Sequence, residues 1–491
     1  MANTTSPFGG PSHAASSTRP GPSRGPRRTR GILDARIKKL SAGPLAGRVR
    51  GELFGRLTRT LDQLLPPLSD TFTFKVAEAS KMALFFNTNG SLYHIRKFTL
   101  EYDVSSTDRR LDTADQVEPY ITAIKNLPSL EDISMAGISI GPWAAFPLAT
   151  ALRTKKRLRR ADFSDCFAQR VPHELSPAMG ALALALIELP NLGAIDLSSN
   201  ALGPSVEGPV TLLAGNHTPL QELNLNDTGM GPETGVAVAN ALVTLASRKA
   251  AVGAPPLREL LLIQNKLCQD DETPMYGMPE WAAAFAAHPN LRKVALKNNG
   301  IRHGGMDHLV AAGLSHLRDL EELDLADNII TARGKTHRAL ADAVKGWPAL
   351  RVLDLDESLL GSRGAGLLIG ALAAVQPSRL ETLRLTQNNL TPANTLALAG
   401  VLWRLPELRE LTLDTNNFPA DDEGYRTLVR LLKQRAEERG VVATVDDVGD
   451  EAYSDPSLSP VSNQQQRASR ASQSSLLTQD SSQNSSQKSA P

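Results

Sequence analysis

Cysteine is nearly absent from this 491-residue chain, which holds only Cys166 and Cys268. Two thiols so distant in sequence make no disulfide framework, and a reducing compartment is the expectation. Aromatic residues are scarce as well, at 4%. The basic first thirty residues contain just Phe8, so they offer no stacking surface, and nucleic acid is not an expected partner. Long apolar runs are missing: ALALALIELPNL at 181–192 is too short to cross a bilayer, and membrane insertion is not expected. There is no G-x-x-x-x-G-K-[ST] loop and no dinucleotide fingerprint, and the nine His are dispersed with no Cys pair near them. The chain is therefore expected to carry no cofactor or metal of its own and no independent active site.

What the chain does have is leucine at a fixed interval. The stretch LGAIDLSSNALGP at 192–204 places Leu192, Ile195, Leu197, Asn200 and Leu202 on the frame L-x-x-L-x-L-x-x-N-x-L. This is a short strand, a turn whose Asn bonds nearby backbone, and a helix. The frame recurs from Leu130, Leu158, Leu192, Leu220, Leu257, Leu291, Leu320, Leu350, Leu380 and Leu408, a period of about 31 residues. That length allows a real helix in every unit. The expected fold is α/β: a leucine-rich repeat solenoid, a horseshoe with parallel strands on the concave face and helices on the convex face. Ile138 and Cys166 stand where Asn is expected in repeats one and two, so Cys166 reads as a small buried group rather than a nucleophile.

Composition divides the chain further. Residues 1–60 hold twelve Arg or Lys against Asp34 and Glu52, a local charge of +10 within a net charge of +1. Residues 1–31 are expected to be a disordered basic tail, with a targeting segment or a docking contact as alternatives. An accessory, mainly helical extension is expected over 32–91, with Phe72, Phe74 and Val76 alternating like a strand. The repeat domain with its terminal caps is drawn over 92–445. A Ser/Gln-rich tail, 446–491, lacks the apolar mass to fold.

Repeats bury their backbone and project variable side chains, so gripping another folded protein is the default function. A rigid loop can also lend a cationic or amide group to a partner's active site, and Arg170 in SDCFAQRVPHE is the most suitable candidate. The cluster Arg153, Lys155, Lys156, Arg157, Arg159 and Arg160 reads either as a docking surface for an acidic partner or as a solvated helix end.

The segments ADFSDCFAQR (161–170), LSSNALGPSVEGP (197–209), HTPLQELNLNDTGMGP (217–232) and APPLREL (254–260) resemble the Ran GTPase-activating proteins. The resemblance runs over roughly 98–439. It implies a partner, the GTP-loaded small GTPase Ran, which brings its own GTP and Mg2+, and possible contact with a Ran-binding adaptor. It also implies a cytoplasmic location, with the nuclear envelope or pore as a refinement. Arg170 matches the family's essential arginine, and the family's mechanism looks like stabilisation of Ran's own catalytic glutamine. An asparagine of the fourth repeat contributes to that placement in the family, whereas Asp227 stands at the matching position here, between Asn226 and Thr228. Partner contacts are expected from Asn200, Asn226, Lys155, Lys156 and Arg157. The family's long acidic carboxyl region is reduced to a brief patch at 446–455. A non-catalytic scaffold that kept the fold is the alternative, and a decoy like the ribonuclease inhibitors, which typically carry many cysteines, is a third.

Overall fold

Every repeat frame begins two residues before a strand. Leu130 precedes Asp132–Ser134, Leu158 precedes Arg160–Asp162, Leu192 precedes Ala194–Asp196, and the offset holds through Leu408 and Glu410–Thr412. This computed structural model describes residues 70–75, 92–101, 109–268, 275–330, 335–376 and 378–446. The described residues fall in one compact unit, which starts at Asp70. The two tails and most of the 32–91 extension lie outside them. Phe72 and Phe74 do sit in a strand, Thr71–Lys75, with both rings buried. That strand pairs in parallel with Lys97–Glu101, so the sheet opens at Thr71 rather than at the expected boundary of 92.

Among the described residues thirteen parallel strands form this sheet in sequence order, and their connections explain the direction. Each chain segment returns through a helix on one side, which allows only parallel neighbours. The middle residue of each short repeat strand, such as Ile133, Ile195, Leu223, Leu323 or Leu411, is buried towards the helices. The two flanking residues lie on the open face. On the other face, Pro occupies the first turn of the helices Pro142–Leu152, Pro172–Leu186, Pro232–Val252 and Pro392–Val401, where its missing N–H costs nothing. Gly231 and Pro232 thus stand at the N-cap and first position of a helix.

Two side-chain ladders join the repeats. In the first, where a frame carries Asn its amide donates to carbonyls of its own turn and the preceding one: Asn200 Nδ2 to Leu197 O at 2.7 Å and Phe163 O at 3.0 Å, Asn299 Nδ2 to Leu296 O and Leu262 O at 2.8 Å each. Cys166 fills the same position, giving its thiol to Met135 O at 3.1 Å. Burial pushes that thiol's pKa up, which keeps it protonated, as a structural residue requires. In the second ladder, a polar side chain near the end of a helix binds carbonyls of its neighbour. Lys249 Nζ donates to Thr218 O at 2.7 Å and His288 Nε2 lies 2.9 Å from Leu242 O. Thr218 lies just past the Glu207–Asn216 helix, where a helix end leaves carbonyls unpaired, whereas Leu242 lies inside the Pro232–Val252 helix.

Candidate partner-binding rim

The turns that follow the strands form one rim, and a single backbone conformation shapes it. The residue just before the ladder position is left-handed in successive repeats: Asp165 (φ 50°), Ser199 (φ 55°), Asp227 (φ 50°), Gln264 (φ 58°) and onward to Thr415 (φ 55°). Asp and Asn tolerate this region better than most non-glycine residues. Each such turn donates its N–H to the next, Asp165 to Ser198 O at 2.9 Å, Ser199 to Asn226 O at 2.8 Å and Asp227 to Ile263 O at 2.7 Å. At the usual spacing of neighbouring strands, Asp165 and Asp227, two repeats apart, lie roughly 10 Å from one another. One partner face can span both.

Arg170 is not displayed on this rim. Its side chain is 0% exposed and is ion-paired to Asp112. Nη2 donates to Ser139 O at 2.7 Å and to Leu111 O at 3.4 Å, and Glu174 lies 3.8 Å from Nη1. Gly141 makes room for this arrangement, because a Cβ there would stand 2.9 Å from Nη1. Arg170 therefore fastens the repeat-two loop to a small two-stranded sheet, Arg110–Leu111 with Ser139–Ile140. The expectation of a loop side chain that can enter a partner's pocket is corrected: Arg170 is buried, and its neighbours Ala168, Gln169 and Val171 are the exposed ones.

Asn200 belongs to the same assembly, not to the surface. It is 1% exposed, its amide is spent inside the stack, and its Oδ1 accepts from Phe167 N at 2.7 Å, three residues before Arg170. The expected partner contact becomes a support for the loop. Asn226 and Asp227 do lie on the rim, Asp227 exposed and Asn226 half-buried. The chain has already left the strand at Asn224, so strand alternation does not set their directions. Asn226 Oδ1 accepts from Ile263 N at 2.7 Å, and among the described residues nothing bonds its Nδ2.

The basic triplet is elsewhere. Lys155, Lys156 and Arg157 precede the Arg160–Asp162 strand, at the end of this three-residue strand opposite the rim. Lys155 is corrected to a structural residue, 7% exposed, with Nζ donating to Lys125 O at 3.2 Å and Leu127 O at 3.1 Å. Burial lowers its pKa to about 8. Lys156 is exposed and bonds Glu188 O at 3.0 Å, and Arg157 is exposed beside Ser129 at 3.5 Å. Arg153, Arg159 and Arg160 pair with Glu188, Glu131 and Glu222 at 3.1, 3.4 and 3.0 Å, so much of the cluster's charge is already balanced.

The open sheet face below the rim is acidic. Asp132, Asp162, Asp196, Glu222 and Glu259 line one groove with Arg160 and Lys97. Crowding has a cost there: burial and the neighbouring Glu222 hold the Glu259 carboxyl above its ordinary pKa. Asp162 and Asp196 are fixed by Ser134 Oγ at 2.7 Å and Asn224 Nδ2 at 2.8 Å. A face of this charge suits a cationic partner surface. Among the described residues no group of His, Cys, Asp and Glu could hold a metal, and no helix is long and apolar enough to cross a membrane.

Sequence reasoning missed Asp112 and Arg109, which together grip the Arg170 loop. Arg109 pairs with Asp165 at 2.9 Å and donates to Gln169 Oε1 at 3.2 Å. Nothing in the spacing of the cap segment announces these contacts.

No family model matches the chain. It is similar to Ran GTPase-activating protein 1 of Saccharomyces cerevisiae, 27% identical over 336 residues, which cover 67% of this chain and 81% of the yeast protein. It is also similar to Ran GTPase-activating protein 1 of Xenopus laevis, 34% identical over 196 residues, covering 39% of this chain and 33% of the frog protein. The ribonuclease inhibitor of Sus scrofa is 33% identical over 155 residues, 31% of this chain and 33% of the inhibitor. The chain thus spans most of the yeast relative but about a third of the other two. Among solved structures, an internalin of Listeria monocytogenes is similar at a TM-score of 0.42 and 16% identity, over 68% of this chain and 78% of that one. The resemblance to the Ran GTPase-activating proteins is borne out by these relatives.

Proposed function

We propose that this relative of the Ran GTPase-activating proteins binds a Ran-like GTPase in its GTP form and stimulates that GTPase's own hydrolysis. The observation that carries the reading is the similarity to the yeast activator along most of that protein's length. The braced repeat-two loop and the acidic face beside it give the reading a physical form. Phosphoryl transfer to water needs placement and charge stabilisation more than covalent help, so a rigid rim that fixes the partner's water-orienting glutamine is sufficient. GTP and Mg2+ are carried by the partner. Arg170, buried as it is, acts as a positioning residue that holds the rim loop in shape. Asn226, with an amide available on the rim, is the closest group to the placement that the family resemblance assigns to an asparagine. A cytoplasmic site of action, with the nuclear envelope or pore as a refinement, and an adaptor that binds Ran belong to the same proposal.

Asp227 favours a second reading. An exposed carboxylate has no amide donor and repels phosphate, as a scaffold that binds without activating would tolerate. The test is single-turnover hydrolysis of GTP preloaded on Ran, with substoichiometric amounts of the full chain. Acceleration with turnover of the activator, lost in Arg170→Ala, is the expected result. Stoichiometric binding without acceleration overturns it in favour of the scaffold.

A further inference from the structure

The Arg170 loop is held from a segment that precedes the first full repeat. Arg109, Leu111 and Asp112 reach it through four contacts, and Arg110 braces Asp112 within the segment. Arg109 takes Asp165 and Gln169, Leu111 O accepts from Arg170, Asp112 pairs with Arg170, and Arg110 pairs with Asp112 at 3.4 Å. Asp112 is itself fixed from behind. Its N–H donates to Gln116 Oε1 at 2.7 Å, in the capping box that starts the helix Ala114–Lys125 with Thr113 as N-cap.

The charges balance in one direction only. Arg170 is a fully buried guanidinium, and burying such an ion without a counter-charge is costly. Asp112 Oδ1 is its close anionic partner, while Glu174 is more remote at 3.8 Å. Asp112 keeps its charge: burial raises its pKa, but the bonds from Arg170 and Arg110 outweigh that and hold it below the ordinary carboxylate value. Among the described residues Nε of Arg170 has no partner, and the Nη1 and Nη2 contacts fix the guanidinium plane.

We infer that Asp112 is the positioning residue of the stimulated reaction, acting through Arg170 to set the rim loop that meets the partner GTPase. The inference rests on the activator reading above. It assigns a role in the reaction to a residue of the amino-terminal cap, outside the repeats, and it predicts that the cap cannot be removed without loss of stimulation even where the repeats stay folded.

Asp112 side-chain exposure of 44% leaves space for substitution without a buried cavity. The experiment compares full chains carrying Asp112→Ala, Asp112→Asn, Arg170→Ala and the Asp112→Ala/Arg170→Ala pair. It reads the maximal single-turnover rate and the half-saturating activator concentration on GTP-loaded Ran. Asp112→Ala is expected to lower the maximal rate by about tenfold, with half-saturation changed less than about twofold. Asp112→Asn, whose Oδ1 still accepts from Nη1, recovers part of the rate. The double variant is no slower than Arg170→Ala alone, because residues acting through one another do not add. Three results overturn the inference: a normal maximal rate in Asp112→Ala, effects that multiply in the double variant, or a loss in Asp112→Ala matched by lost thermal stability without recovery by Asn. Failure of the unsubstituted chain to accelerate hydrolysis sinks the activator reading, and this inference with it. That outcome is distinct from acceleration that ignores Asp112.

Discussion

Asn200 and Asn388 occupy equivalent places in the ladder, and only one of them supports the Arg170 loop. Replacing Asn200 by Ala strips donors from Phe163 O, Leu197 O and Ser198 O and leaves Phe167 N–H without its acceptor. Asn388→Ala does comparable damage, to Leu355 O, Thr386 O and the N–H of Leu360. A buried group left unpaired costs about 1–3 kcal/mol, and partial relaxation limits the sum, so each variant should lose about 3 kcal/mol. Urea unfolding followed by far-ultraviolet circular dichroism checks that number. Their effects on stimulated GTP hydrolysis should differ. Asn200→Ala frees the loop three residues from Arg170 and is expected to slow the reaction by about tenfold, equivalent to about 1.4 kcal/mol. Asn388→Ala, six repeats away, should leave the rate within about twofold when assayed well below its unfolding temperature. Equal slowing in both would show that general loosening matters and loop placement does not. No slowing in Asn200→Ala would detach the loop from function altogether.

Acid should weaken the stack through His288. Burial lowers its pKa to about 4, so between pH 6.5 and 4 the unfolded chain binds a proton that the folded chain refuses. Stability is then present above the unfolded value and lost as pH falls, by about 2 kcal/mol between pH 7 and 5, and His288→Gln should flatten that slope in denaturation midpoints. Asp227→Asn keeps a residue that tolerates the left-handed turn, so folding should change by less than about 0.5 kcal/mol. Hydrolysis on Ran should rise, on the order of tenfold, if a missing donor limits the rim. An unchanged rate would place the decisive contact elsewhere, with Asn226→Ala the next variant to assay.

The fold was legible because leucine does the same work in every repeat. Ten frame starts located ten strands with a constant offset, since the frame's spacing and the strand's burial are one fact. Cys166 was read correctly as buried because its place in the frame, not its chemistry, decided the matter. The site was less legible. Arg170 carried a family resemblance, but burial depends on Asp112 and Gly141, contacts across 58 and 29 positions that no local period encodes. Lys155 misled for a related reason: its charge looks like a surface feature among five other cations. Only the neighbouring helix end, with two unpaired carbonyls, turns it inward. Asn200 was identified as a frame residue and also assigned to the surface, and the ladder allows only the first.

The ordering of the sheet bears on how this chain reaches its native state. Each strand pairs with the one before and the one after, and successive helices pack side by side. Contacts close over about one repeat, so loop-closure entropy stays small and no distant segment must arrive before structure can form. Folding can start wherever two or three adjacent units first meet and spread outward in both directions. During synthesis, the cap strands and repeat two will have emerged before the Glu423–Arg439 helix exists. The Arg170 loop can therefore be fully braced on a ribosome-bound chain whose later repeats have not yet been made.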